Sequence, residues 1–142
     1  MELRYATLND LKRIYGLVCE LEMEVMPLTE FEDIYSKNIY RDDVHYLVVE
    51  YKSELIAFGS MHIQSLLHHS ANVAEIQELI IKNDFRGKGI GKMLIERLKE
   101  ISRGESCEVI EVCCNRERVD AHEFYEHNGF SKSHYKFTLR WR

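Results

Sequence analysis

The stretch that most limits what this chain can become is residues 79–94. An apolar, β-branched run through Leu79, Ile80 and Ile81 reads as the end of a buried strand. A polar turn follows at Lys82, Asn83 and Asp84, and then glycines alternate at Gly87, Gly89 and Gly91. Beyond them Ile90, Met93, Leu94, Leu98 and Ile101 recur at the spacing of one helix face. A strand entering a helix through a glycine-rich turn offers unpaired backbone N–H groups and the positive end of the helix dipole to an anion. Glycine permits positive φ and lets a diphosphate approach the main chain closely. Arg86, Lys88 and Lys92 add full positive charges beside it.

The spacing narrows the choice of anion site. A nucleotide P-loop needs Gly-Lys followed by Ser or Thr, and here Gly91-Lys92 is followed by Met93. A dinucleotide fingerprint needs Gly-x-Gly-x-x-Gly; the third glycine falls on Lys92 in one register and on Leu94 in the other, so both fail. The pattern that holds is Arg-x-x-Gly-x-Gly, carried by Arg86, Gly89 and Gly91.

A chain of 142 residues is expected to form one domain, residues 1–142, with a single core. The net charge of −5 argues against a general nucleic-acid binder, which needs a basic face for phosphate contacts. No run approaches the roughly 18 consecutive apolar residues of a membrane span, and charged residues interrupt the N-terminus as they do not in a signal peptide. The expected location is cytoplasmic. Cys19, Cys107, Cys113 and Cys114 contain no Cys-x-x-Cys pair and are read as reduced, mostly buried small hydrophobes.

In chain order the pattern predicts a strand over residues 2–6 and a helix capped by Thr7, with Leu8, Leu11, Ile14, Tyr15, Val18 and Leu21 on its apolar face. Pro27 interrupts it. Thr29 with Glu32 has the form of a capping box and opens a second helix ending near Tyr40. Glu20, Glu22 and Glu24 crowd the end of the first helix, where the dipole disfavours acids; an acidic rim of this kind attracts an amine. Strands are expected over residues 44–51, 55–67 and 73–81, with a hairpin turn at Lys52-Ser53-Glu54. The helix after the glycine loop runs over residues 89–102, with Gly104 as its C-terminal cap. A strand over residues 108–114, a short helix over 120–127 stopped by Asn128-Gly129, and a last strand from Phe130 through Trp141 complete the order βααβββαβαβ. Mixed strands with helices on both faces make a three-layer α/β architecture.

With strand before and helix after, Arg86-x-x-Gly89-x-Gly91 resembles the acetyl-CoA pyrophosphate loop of the GCN5-related N-acetyltransferases (GNAT). A second segment in the right order and spacing, Ala121-x-x-x-Tyr125-x-x-x-Gly129-Phe130, matches the same family. The resemblance implies a single GNAT-like domain, its mixed central sheet splayed in a V, with acetyl-CoA as cosubstrate. Arg86, Gly87, Lys88, Gly89, Ile90, Gly91 and Lys92 would then hold the pyrophosphate. The backbones of Leu79, Ile80 and Ile81, with Asn115, would hold the pantetheine arm, and Tyr125 would border the thioester.

Acetyl transfer to an amine requires removal of the ammonium proton, a donor for the tetrahedral oxyanion and a proton for the departing thiolate. The family pattern gives Tyr125 the last role. Glu75 and Glu78, on the strand before the loop, are the candidate bases, Glu75 first, acting directly or through water. Simple alternation sets them on opposite faces of the strand unless a bulge intervenes.

Three further strings look like the aminoalkylphosphonate N-acetyltransferases: Leu67-His68-His69; Glu75-Ile76-Gln77-Glu78-Leu79; and Asn115-x-x-Arg118-x-Asp120-Ala121-His122-x-Phe124-Tyr125. His134-x-x-Phe137-Thr138 continues the third, and the likeness departs over residues 24–38. It implies a small primary amine as acceptor, with His68, His69, Arg118 and His134 as candidate contacts for an anionic head. Arg116 and Lys136 fall in the same loops and strand ends. It also suggests a divalent metal, for which His62, His68, His69, Glu75 and Glu78 carry ligand atoms but show no metal-site spacing. A homodimer is a further implication, with Trp141 in the terminal strand at the interface. A protein lysine or N-terminal acetyltransferase, and a non-catalytic acyl-CoA sensor, are the alternative readings.

Overall fold

A computed structural model describes residues 1–141. The alternating apolar runs form β1 (Glu2–Tyr5), β2 (Val44–Tyr51), β3 (Glu54–Leu66), β4 (Ala71–Ile81) and β5 (Cys107–Val112). The helical patterns form α1 (Leu11–Glu22), α2 (Leu28–Asn38), α3 (Ile90–Gly104) and α4 (Val119–His127). The strands make one sheet in chain order, antiparallel throughout except for the parallel pair β4 and β5. Parallel strands need a crossover, and α3, leaving the glycine loop, supplies it.

Helices cover both faces. On one, Leu94, Ile95 and Leu98 of α3 pack on Leu47, Val49, Ile56, Met61, Ala74 and Ile76, with Phe124, Tyr125 and Phe130 at the margin. On the other, Ile14, Leu17 and Val18 of α1 and Tyr35 of α2 pack on Tyr46, Val48, Phe58 and Ile80. Each fully buried aliphatic side chain contributes about 1.5–3 kcal/mol, so the three-layer arrangement follows from the apolar stripes of the helices. Polar fastenings fix the second layer. The Asp10 carboxylate, 1% exposed, accepts from Arg4 at 2.8 and 3.0 Å and from Arg13 at 2.7 Å, tying β1 to the start of α1. Tyr35 donates its hydroxyl to the Thr7 carbonyl at 2.6 Å, and Asn38 donates to the Tyr46 hydroxyl at 3.0 Å, seating α2 on β2.

Several sequence expectations shift. A 3-10 turn, Leu8–Asp10, precedes α1, and the Thr7 N–H is met by the Asp10 carboxylate at 2.8 Å. Thr29 lies inside α2 and Pro27 takes the cap position, because proline's fixed φ suits the entry to a helix better than a side-chain cap two residues later. Gly104 is the last residue of α3 rather than its cap. None of the four free cysteines is fully buried: Cys107 opens the edge strand β5, and Cys113, just past its end, is exposed.

The largest difference is at the C-terminus. Residues 131–141 are exposed and have no regular structure, so the strand expected from Phe130 through Trp141 does not form. Among the described residues no backbone hydrogen bond joins 131–141 to the rest of the chain; the last is Phe130 N–H to the Tyr125 carbonyl at 3.0 Å. Strand propensity gives no ladder without a paired edge.

Candidate active site

The sheet is pulled open at the point where the glycine loop begins. The β4–β5 pairing ends at Ile76 with Val112, while β4 continues to Ile81. Residues 77–81 therefore have no strand beside them on the β5 side, and the two strands part as the V expected from the family resemblance.

A bulge marks the same point. On the β3 side Met61 pairs with Ile76 and Ser60 with Glu78, so Gln77 is the extra residue. Its effect on facing is visible in the packing. Ala74 and Ile76 belong to the α3 core, as do Leu79 and Ile81, whereas Ile80 belongs to the α1–α2 core. Alternation has slipped by one residue. Glu75, Gln77 and Glu78 thus share the α1–α2 face, which simple alternation would have divided, and Gln77 donates to the Glu75 carboxylate at 3.0 Å.

Glu78 is the group the fold controls most tightly. Its carboxylate accepts the Ser60 hydroxyl, and its own N–H donates back to Ser60 Oγ at 3.0 Å. Burial pushes its carboxyl above the ordinary range, opposed by the Ser60 hydrogen bond and by the charge of His62, while Glu22 of the acidic rim reinforces the rise. A carboxyl held this way takes up a proton near neutral pH more readily than a solvated one. Ser60 was not singled out by sequence; only the bulge register brings it opposite Glu78. Glu75 sits lower on the same face, its second oxygen 3.6 Å from the Cys113 thiol.

Across the opening, Tyr125 lies on α4 with its ring edge-on to Phe124 at 5.3 Å and to Phe130 at 5.6 Å. Burial raises the phenol to about 12, with Arg118 pulling the other way, so it keeps its proton at neutral pH. The Asn115 carboxamide oxygen accepts from Glu117 N–H at 2.9 Å and shapes the loop between β5 and α4, leaving its amide group to donate.

The glycine loop is built for a main-chain contact. Gly87 and Gly89 have φ of +75° and +83°, and an added Cβ at either would meet only open space. Conformation, not crowding, demands glycine there. Gly91 differs. Its Cβ would fall 2.8 Å from the Phe124 ring, so this glycine lets α3 approach α4, the helix that carries Tyr125. Arg86 donates Nε to the Ile81 carbonyl at 2.9 Å, clamping the loop to the strand end and taking up one acceptor expected to serve the pantetheine arm. Lys88 lies over the Phe85 ring at 5.5 Å. The exposed positive-φ loop, the adjoining lysines and the unpaired end of β4 fit a cosubstrate that offers a diphosphate and an extended amide chain.

The remaining candidates do not all converge. His68 and His69 sit at the β3–β4 turn, at the opposite end of β4 from the glycine loop, with His69 bonded to Glu108 at 3.0 Å. His134 contacts Ser133 at 2.7 Å in the exposed terminal segment. Arg118, which precedes α4, and Lys136 stand closer, their charges acting on Tyr125 and on Cys113 respectively. Among the described residues no three His, Cys, Asp or Glu side chains gather as a metal site. None of the described helices is long and apolar enough to cross a membrane. Two cavities of about 410 and 390 Å³ lie away from Glu78, Tyr125 and the glycine loop, one beside Asp42, Gln64 and Glu105 and the other beside Arg13, Glu20 and Lys82.

The model of the acetyltransferase (GNAT) family matches residues 8–130. The chain belongs to this family. It is an acyl-CoA-dependent N-acetyltransferase. It is 36% identical over 137 residues to the aminoalkylphosphonate N-acetyltransferase of Salmonella typhimurium, an alignment covering 96% of this chain and 89% of that protein. Among solved structures it superposes with a TM-score of 0.89 on a transcriptional regulator from Bacillus halodurans, 21% identical, with 99% of each chain covered. It also superposes with a TM-score of 0.89 on an aminoglycoside N-acetyltransferase in complex with CoA, 17% identical, covering 99% of this chain and 94% of that one. These two establish the fold alone.

Proposed function

We propose that this acetyltransferase moves the acetyl group of acetyl-CoA to the primary amine of a small aminoalkylphosphonate. The observation that carries the reading is the pairing of an acid-lined face, where Glu75, Glu78 and Glu22 gather, with the chain-long likeness to the Salmonella enzyme. An ammonium is drawn to that face, and Arg118 and Lys136 at the top of β5 offer charge to a phosphonate.

Glu78 is the base in this reading, ahead of Glu75, because Glu78 is desolvated and held by Ser60. It removes the ammonium proton, directly or through water. The freed lone pair attacks the carbonyl carbon, the C–S bond breaks as the Tyr125 hydroxyl gives its proton to the sulfur, and the second proton lost by the acylated nitrogen returns to the Tyr125 phenolate through solvent. The cosubstrate supplies the activated thioester. Gly87, Gly89 and the first N–H groups of α3 hold its diphosphate, Arg86 keeps the loop against β4, and the Asn115 amide and the free edge of residues 77–81 orient its arm. No covalent enzyme intermediate is needed.

Release of free CoA thiol, measured with aminoalkylphosphonates, polyamines, aminoglycosides and lysine peptides, tests the acceptor. Turnover is expected with the phosphonates. Turnover confined to peptides overturns the small-amine reading, and CoA binding without turnover on any acceptor replaces it with a sensor.

A further inference from the structure

We propose that Tyr46 is a positioning residue for proton removal: its hydroxyl and the Glu78 carboxylate hold between them the water through which the acceptor ammonium loses its proton. The inference rests on the assignment of Glu78 as the base. Register brings the two side chains to one place. Tyr46 of β2 pairs with Ser60 of β3, and Ser60 pairs with Glu78 of β4. The three make one row across the sheet, on the face that α1 and α2 cover. Cβ atoms of paired residues lie about 5 Å apart. Ser60, short and fully buried, leaves the long side chains on either side of it free to approach each other over its hydroxyl.

The direction of the Tyr46 hydroxyl is set by its surroundings. The side chain is 8% exposed, its ring stacked on Tyr35 at 5.4 Å and edge-on to Phe58 at 5.7 Å. Asn38, the last residue of α2, donates its side-chain N–H to the phenol oxygen at 3.0 Å. That N–H fills a lone pair and cannot take up the phenol proton. The Tyr46 O–H is therefore turned away from α2, and among the described residues none accepts it. A buried hydroxyl proton needs an acceptor, and the acid within its reach is Glu78. Burial pushes the phenol above its ordinary range; the Asn38 amide opposes the rise, and the Glu78 charge adds to it.

The other groups facing Glu78 leave this role open. Ser60 occupies one carboxylate oxygen, while His62 of β3 and Glu22 of α1 act on it through charge. Tyr46 feels the Glu78 charge without a direct hydrogen bond to it, and a polar contact of that kind is bridged by water. In the step, the ammonium gives one proton to the water as the water gives one of its own to the free Glu78 oxygen. Ammonium loses one proton, Glu78 gains one, and the water is restored. Tyr46 keeps its proton throughout. Its donation fills one lone pair of the water, so that the other faces the nitrogen.

A double-mutant cycle on the full chain tests this, with CoA release followed on an amine that the acceptor panel shows to be acetylated. Tyr46→Phe keeps the ring packing and should lower kcat about tenfold, with CoA affinity and thermal midpoint unchanged. In a Glu78→Gln background the same change should cost less than about twofold, because Tyr46 acts only through that carboxylate. Asn38→Asp supplies an acceptor that draws the Tyr46 proton back toward α2. It should reproduce the loss of about tenfold, and add nothing once Tyr46 is Phe. Additive losses for Tyr46→Phe and Glu78→Gln overturn the inference and leave the base assignment standing, as does full kcat in Tyr46→Phe or in Asn38→Asp. Full kcat in Glu78→Gln alone removes the base assignment and this inference together.

Discussion

The two ends of the cleft are built by different means. At the glycine loop the main chain sets the surface: Gly87 and Gly89 take left-handed φ, α3 begins beside them with its first N–H groups, and lysines stand nearby. At the bulge, four residues before the end of β4, side chains set it: Ser60 locks Glu78, and Glu75 and Gln77 join them on one face. A main-chain site tolerates change in the surrounding side chains and fails when φ is forbidden. A side-chain site fails when one atom is lost. In the proposed mechanism this contrast makes cofactor grip and proton handling separable, although barely ten residues of chain lie between them.

That separation can be broken experimentally. Tyr125→Phe should lower kcat by about 10²–10⁴-fold, the range for loss of a general acid, with CoA affinity held within a few-fold. Equal losses in both would return Tyr125 to a packing role. Glu78→Gln should lower kcat by about 10²-fold and remove the acid limb of the kcat/KM profile; a surviving limb would move the base to Glu75. Gly89→Ala forces a methyl-bearing residue into the left-handed region at about 1–2 kcal/mol, or about tenfold in CoA affinity. Gly91→Ala should spare CoA affinity more and cut kcat by several-fold, since its Cβ collides with Phe124 beside Tyr125. If calorimetry finds both glycine variants equally weak for CoA, the division between the two ends is wrong.

Ser60→Ala is expected to have the smallest effect and the most specific one. The Ser60 hydroxyl favours the charged carboxylate, so its loss raises the Glu78 carboxyl further. Below neutral pH more of the base is then protonated, and the acid limb of kcat/KM moves to higher pH while the alkaline rate is kept. An unmoved limb would show that Glu78 does not govern it.

Much of the fold could be read along the chain because it rests on local periodicity. The strand at Val44–Tyr51 and the helix after the glycine loop are spelled out by spacing two and spacing near 3.6. The terminal strand was equally legible as a pattern and yet is unpaired here, because alternation states a preference for an edge without supplying one. The cysteines misled for a similar reason: an apolar run looks the same in a central strand and at an edge.

By itself the sequence determined a positive-φ glycine turn between strand and helix, the acidic strand before it and the phenol on the last short helix, since glycine φ, helix phase and residue chemistry are local properties. Only the tertiary structure decided which acid is controlled. The extra residue at Gln77, invisible in the linear pattern, turns Glu78 toward Glu75 and opposite Ser60, eighteen positions away along the chain. Register is a relation between two strands, so no reading of one strand contains it.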